Sequence, residues 1–220
     1  FSIVSYTGNG SAGATIGHGL GTAPHLIIMK DRSNVRDWFV YHQSTGETNR
    51  LKLNSTVASA ASTFLNDTAP TSSVYAVDGG TAGNASSANY IAYCFAEKQG
   101  YSKFGSYTGN GNADGTFVYT GFKPAFVIIK PTNYATSWVM LDNKRSTYNV
   151  VNKSLFAEDT SAEVVDKDTD FLSNGFKLRT TSTGVNGAYN YIYMAFAENP
   201  FVTSTGVPTT ARWLCSYLLT

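Results

Sequence analysis

The sequence predicts an all-β protein: two tandem antiparallel β-sandwiches of similar topology, of the jelly-roll or lectin-like kind. The first observation behind this is an internal repeat. Ser5-Tyr6-Thr7-Gly8-Asn9-Gly10 returns as Ser106-Tyr107-Thr108-Gly109-Asn110-Gly111, and Trp38 returns as Trp138. Asn89-Tyr90-Ile91-Ala92-Tyr93-Cys94-Phe95-Ala96-Glu97 returns as Asn190-Tyr191-Ile192-Tyr193-Met194-Ala195-Phe196-Ala197-Glu198. The offset at these places is 100 or 101 residues, too long for a solenoid unit and suited to one small domain. The second observation is that Thr, Val, Ile, Tyr and Phe dominate short stretches bounded by Gly, Asn, Ser and Asp, with almost no helix signal. The third is composition: 14% aromatic residues and 20 glycines in 220 residues fit short strands joined by many turns.

Taken in order, copy one reads as strands at residues 3–7, 14–18, 25–30, 38–42, 50–53, 74–77 and 89–97. Copy two reads as strands at 103–108, 116–119, 125–130, 138–141, 152–156, 175–180 and 190–198. Seven short strands per copy is the count of a sandwich. Asn9-Gly10 and Asn110-Gly111 read as hairpin turns, because both residue types tolerate positive φ. Residues 26–29 and 126–129 are apolar throughout, which marks strands covered on both faces. In the last strand of copy one, Ala92, Cys94 and Ala96 share one side and Ile91, Tyr93 and Phe95 the other, since side chains alternate. One side is small and one bulky, so a central strand is expected there as well. The domain boundaries follow as 1–100 and 101–201. Lys98-Gln99-Gly100 is so short a joint that the two sandwiches are expected to dock, and 202–220 reads as an extended tail.

Net charge is +1 with 14% charged residues; no basic surplus of the kind a nucleic-acid binder carries is present. The apolar runs fall far short of the roughly 20 residues of a membrane helix. Neither nucleic acid nor membrane insertion is expected. Phe1 is not an initiator Met, so a portion of a longer or processed chain is expected. Cys94 reads as a small apolar core filler rather than half of a bridge to Cys215.

The chemical motifs have plainer readings. Gly8-Asn9-Gly10-Ser11-Ala12-Gly13 matches the dinucleotide fingerprint, but Thr15-Ile16 follow it as strand formers where that motif needs a helix. Copy two carries Asp114 in place of its third glycine. His18, His25 and His42 have no carboxylate at ligand spacing, so no metal is expected, and no cofactor either. Glu97 and Glu198 end equivalent strands, a symmetric placement that suggests structural contacts. The Asn-X-Ser/Thr sequons at Asn54, Asn66, Asn84 and Asn152 are ordinary in a chain this rich in Asn, Ser and Thr.

The best binding candidates are the stretches 31–37 and 131–137, which differ between copies while their flanks do not, as loops on a fixed scaffold do. Tyr134 would stack on a sugar face, with Asn133, Arg32 and Asn34 as polar partners and Arg36 beside them. Trp38, Trp138, Phe95 and Phe196 are expected in the structural core.

Several of these pieces belong together: the Ser-Tyr-Thr-Gly-Asn-Gly motif, Gly19-Leu20-Gly21-Thr22-Ala23-Pro24 before an apolar strand ending in Lys, Trp38, Phe171-Leu172-Ser173-Asn174-Gly175-Phe176, and Ala195-Phe196-Ala197-Glu198-Asn199-Pro200-Phe201. As a set they resemble a family of uncharacterised repeat domains from virion and tail-fibre proteins of marine tailed phages. The resemblance covers nearly all of 2–212, and 213–220 departs from it. It implies a non-enzymatic structural or adsorption protein of a virus particle. Such a protein would contact other virion proteins and a host surface glycan, as a homo-oligomer that is a trimer by analogy. A capsid decoration or head-fibre role, and a surface-polysaccharide depolymerase, are the alternatives.

Overall fold

The structure is a computed structural model that describes residues 1–200; the predicted tail at 202–220, with Trp213 and Cys215, lies outside the described residues. Among those described there is no helix, and every strand pairing is antiparallel. The all-β class predicted from the β-branched and aromatic stretches is therefore the fold. The chain divides between Ala96 and Glu97 into two compact units.

Unit 1 holds β1 (Ser2–Thr7), β2 (Ala14–Gly17), β3 (Leu26–Asp31), β4 (Phe39–His42), β5 (Asn49–Lys52), β6 (Ala60–Ala61), β7 (Val74–Val77) and β8 (Asn89–Phe95). A six-stranded sheet in the order β1-β8-β3-β4-β5-β6 faces the two-stranded sheet β2-β7. Ile27, Met29, Tyr90, Ala92 and Cys94 from the large sheet pack with Tyr75 and Val77 from the small one. Small inward residues on β8 thus make room for a buried Tyr from the opposite layer, the alternation of large and small that dense packing requires.

Unit 2 holds β9 (Ser102–Thr108), β10 (Phe117–Tyr119), β11 (Pro124–Pro131), β12 (Val139–Asp142), β13 (Val151–Phe156), β14 (Val164–Leu172), β15 (Gly175–Leu178) and β16 (Asn190–Ala197). Its strands form one sheet in the order β10-β15-β14-β13-β12-β11-β16-β9. This is the order of unit 1 with the gap between its two sheets closed. The register of β13 against β14 shifts between Val151 and Lys153, a bulge of the kind that lets one strand turn a corner. The sheet then folds over on itself. Phe176 of β15 meets Tyr193 of β16 edge-on at 5.5 Å and Tyr107 of β9 at 6.1 Å, and Thr116 Oγ1 donates to the Thr108 carbonyl at 2.8 Å.

Three sequence-based readings are corrected here: the turns, the strand count and the core residues. The Asn-Gly pairs are not hairpin turns: β1 pairs with β8 and β2 with β7, so the Gly-Asn-Gly loop carries the chain from one layer to the other. Gly10 and Gly111 do take positive φ, 72° and 65°. Two strands had no prediction, β6 and β14. In β14, Asp166, Asp168 and Asp170 depress strand propensity, yet alternation holds beneath the charge, with Lys167, Thr169 and Phe171 buried. Trp138 is buried, but Trp38, Phe95 and Phe196 are only half-buried and point away from the sandwich cores. Alternation along β8 and β16 places Phe95 and Phe196 on the outward face. There Phe95 packs on Phe1 at 4.7 Å, and Phe196 lies edge-on to Tyr101 and Phe104, each at 6.2 Å. Trp38 stacks on Tyr93 at 6.4 Å on the outward side of unit 1.

The repeated Gly-Asn-Gly loop owes its shape to a buried asparagine that the sequence reading passed over as a glycosylation sequon. Asn84 Oδ1 accepts from the Asn9 amide, and its Nδ2 donates to Asn9 Oδ1 and to the Ser11 carbonyl, at 2.8–2.9 Å. Asn186 repeats this in unit 2 toward Asn110 and Asn112 and adds a bond to the Thr180 carbonyl. A Cβ on Gly8 would sit 2.2 Å from the Ala85 carbonyl oxygen, and one on Gly109 would sit 2.1 Å from that of Gly187. Of the fingerprint glycines, Gly8 serves close backbone approach and Gly10 and Gly13 take positive φ, and among the described residues no helix follows to receive a pyrophosphate.

Candidate functional site

The stretches 31–37 and 131–137 are built on one frame. The amide of Arg32 donates to the Asn89 carbonyl at 2.7 Å, and that of Thr132 to the Asn190 carbonyl at 2.8 Å. The lysine ending each apolar strand reaches six residues on, Lys30 Nζ to the Arg36 carbonyl and Lys130 Nζ to the Thr136 carbonyl. Each loop also caps the amide that starts the last strand. Ser33 Oγ accepts from Asn89 and Asn133 Oδ1 from Asn190, both at 2.9 Å. At the far end the amide of Trp38 donates to Asn54 Oδ1 and that of Trp138 to Glu158 Oε2. The backbones match residue for residue while the side chains between these bonds do not.

The four predicted contact residues fare differently within that frame. Arg32 is exposed. Tyr134 is 38% exposed, with its ring stacked 4.2 Å from Tyr189, so one face is already covered. Asn34 is exposed, but its amide donates to Asp31 Oδ2 at 3.0 Å, and Asp31 Oδ1 accepts from the amides of Ser33 and Asn34. Burial opposes ionisation of Asp31, but the Asn34 and Ser33 donors outweigh it and hold the carboxyl below its usual value. The Asn133 oxygen is committed to the strand cap. Arg32 and Tyr134 present their groups outward; Asn34 and Asn133 shape the loops. The two loops lie in separate units.

In unit 1 the loop borders a cleft that sequence reasoning missed. It has two lobes of about 520 and 410 Å³, both lined by Arg50, Thr81 and Ala82. Val35, Arg36 and Asp37 of the loop line one lobe; Ser62, Thr63 and Asp78 line the other. The Arg50 guanidinium lies 4.6 Å over the Phe39 ring, and its Nε is shielded from water with no hydrogen-bond partner. Asp37 is engaged elsewhere: Lys52 pairs with it at 2.7 Å and Asn54 donates to it at 3.0 Å. Those two donors hold its carboxyl low, with a smaller contribution from Arg50. Asp78 accepts from Thr63 Oγ1 and the Gly80 amide. The only signal in the sequence was Arg36, within the loop; Arg50 and Asp78 meet it only through sheet topology.

Over residues 1–200 the chain matches the family described as a domain of unknown function (DUF7483). The chain belongs to that family. No curated protein and no solved structure gives a significant match.

The remaining polar candidates of this DUF7483 member hold the fold together. His18 is buried, with Nε2 3.1 Å from the Thr71 carbonyl and Nδ1 accepting from the Leu20 amide. His42 is buried and accepts from the Ser44 amide. Glu97 pairs with Lys103 at 2.7 Å and Glu198 with Lys123 at 2.8 Å, so each strand-end carboxylate has a lysine of its own unit. Cys94 lies fully within the core of unit 1, and burial pushes its thiol up to about 12. It is no nucleophile at neutral pH.

Proposed function

We propose that this chain is a non-enzymatic recognition module of a phage virion, placed on the tail fibre as a homo-oligomer and contacting carbohydrate on the host surface. The observation that supports the reading is the pair of loops at 31–37 and 131–137. Two copies of one scaffold hold them by the same backbone bonds and present different side chains. That is how a recognition surface diversifies on a fixed frame. Arg32 and Tyr134 supply an exposed cation and a partly exposed ring at those loops, the residue types that dominate binding energy where they are anchored. The Tyr189 stack fixes the Tyr134 ring in advance, so little side-chain freedom is lost on contact.

The experiment is a glycan array and a host-cell binding assay with the purified chain, beside immunogold labelling of intact particles. Tyr134→Ala and Arg32→Ala should each leave the melting temperature within about 2 °C of the parent. Each should weaken glycan or cell binding about fivefold or more. If both variants bind like the parent, the loop assignment is wrong; label on the capsid rather than the fibre would move the chain to a decoration role.

A further inference from the structure

We propose that the Arg50 cleft of unit 1 binds an acidic saccharide, with Arg50 and Arg36 receiving its carboxylate and Asp78 receiving its hydroxyl donors. This rests on the recognition reading above and names the ligand class for one of its two units. The inference comes from comparing the units at this place. Strand register aligns Phe39 with Val139 and Arg50 with Ser154. The bonds from Tyr6 and Tyr90 to the Gly83 and Thr81 carbonyls are repeated by Tyr107 and Tyr191 to those of Val185 and Thr183, which aligns Ala82 with Gly184. In unit 2 the space between Val139 and Gly184 is filled by the side chain of Lys167. Its Cε lies only 2.9 Å from where a Gly184 Cβ would stand. Lys167 comes from the nine-residue strand β14, whose counterpart in unit 1 is the two-residue β6. Shortening that strand removes the plug, and the cleft is what opens.

The charges differ in the same way. In unit 2 the cation at this place has its own carboxylate, since Lys167 is paired with Asp166. In unit 1 the Arg50 guanidinium lies over the Phe39 ring with a dry Nε, and among the described residues neither Arg50 nor Arg36 at the rim is in an ion pair. A buried donor left without an acceptor costs free energy that a ligand acceptor would recover, and a guanidinium fork matches a carboxylate. Asp78 is the reason a bare anion is the wrong ligand. Its carboxylate shares the cleft, repels a simple anion and accepts hydroxyl donors. A molecule carrying both a carboxylate and hydroxyl groups satisfies both sides at once. The lining hydroxyls of Ser62, Thr63 and Thr81 and the lobe volumes fit one or two sugar rings.

The test is titration calorimetry of the whole chain with trigalacturonate, with maltotriose as the neutral probe and inorganic phosphate as the bare anion. Trigalacturonate should bind, and each of Arg50→Met and Arg36→Ala should weaken it about tenfold or more. Arg36 is exposed, so its variant folds whatever Arg50→Met does. Tyr134→Ala, in the other unit, should leave this binding unchanged. Failure of trigalacturonate to bind, equal binding of maltotriose, or phosphate binding as tight as the saccharide would each overturn the proposal. Trigalacturonate binding that survives both arginine variants would overturn it too. The recognition reading fails separately, through the cell assay and particle labelling, because this titration uses neither cells nor virions.

Discussion

Asn84 and Asn186 show how one buried side chain can specify a loop. Each is almost wholly buried, at 1% and 0% exposure, and each spends its amide on backbone and side-chain groups of the Gly-Asn-Gly loop. Removing one takes away three or four hydrogen bonds together and leaves a cavity where the buried amide stood. Asn186→Ala should therefore destabilise unit 2 by about 2–3 kcal/mol, measured by urea unfolding. The tryptophans test a different cost. Trp138 is 4% exposed, and Trp138→Ala should cost about 3–5 kcal/mol from lost burial and the cavity left behind. Trp38 is half-buried on an outward face with one ring partner, so Trp38→Ala should cost about 1–2 kcal/mol. Equal losses at both positions would mean that the outward faces of the two units are equally enclosed.

At the scale of elements, the loops 31–37 and 131–137 should be interchangeable. Most bonds holding them run to backbone. The exceptions are the Asp31 turn with Ser33 and Asn34, the strand caps by Ser33 and Asn133, the Asn54 and Glu158 oxygens that accept from the tryptophan amides, and the Asp37 contacts with Lys52 and Asn54. Of these, the last three lie at or beyond the ends of the exchanged segment or keep their acceptor. Replacing residues 32–36 by the sequence of 132–136 should shift unit 1 stability by no more than about 1 kcal/mol, read from a circular dichroism melt. A collapse of unit 1 would show that the side chains, not the frame, set the loop. The strands were legible for a related reason. Wherever apolar alternation or an apolar run is strong, as in β3, β8, β11 and β16, the sequence marks the element within a residue or two. It hides β14 because its core-facing positions are Lys167, Thr169 and Phe171 and its outward positions are aspartates paired laterally, such as Asp170 with Arg179 at 2.6 Å. Composition there argues for a loop while period argues for a strand, and pairing with β13 and β15 decides. The loop residues were legible from variation between copies. The Arg50 cleft was not, because it exists through the shortness of β6 and the meeting of β5 with the turn after β7. Bulk misled as well: large Phe95 reads as core, yet the sandwich interior of unit 1 needed small residues opposite Tyr75.

For the molecule as a whole, the buried ionisable groups set an alkaline limit on stability with a sign that can be worked out. Burial raises the phenols of Tyr6, Tyr75 and Tyr90 in unit 1 and of Tyr107 and Tyr191 in unit 2. It raises Tyr193 to about 12, and the Cys94 thiol likewise to about 12. Each of these acids keeps its proton in the folded state above the pH at which the unfolded chain gives it up. Their stabilisation is complete below the unfolded values, about 8.5 for Cys and 10 for Tyr, and is lost as pH climbs through the interval to the folded value. Lys130 acts the other way. It is fully buried, and desolvation lowers its ammonium to about 8 against a smaller opposing effect of Glu158. The folded state releases that proton first, so stability rises between about pH 8 and the unfolded value near 10.4. The unfolding free energy from urea, summed over the two units, should accordingly change little from pH 8 to 10, where the Cys94 loss in unit 1 and the Lys130 gain in unit 2 oppose each other, and fall steeply above pH 10, where several tyrosines act together. Two variants separate the terms. Cys94→Ala copies the Ala195 of unit 2 and should turn the 8–10 plateau into a rise. Lys130→Met should turn it into a decline. If neither variant alters the slope between pH 8 and 10, these two groups do not carry the pH dependence there, and the plateau has another origin.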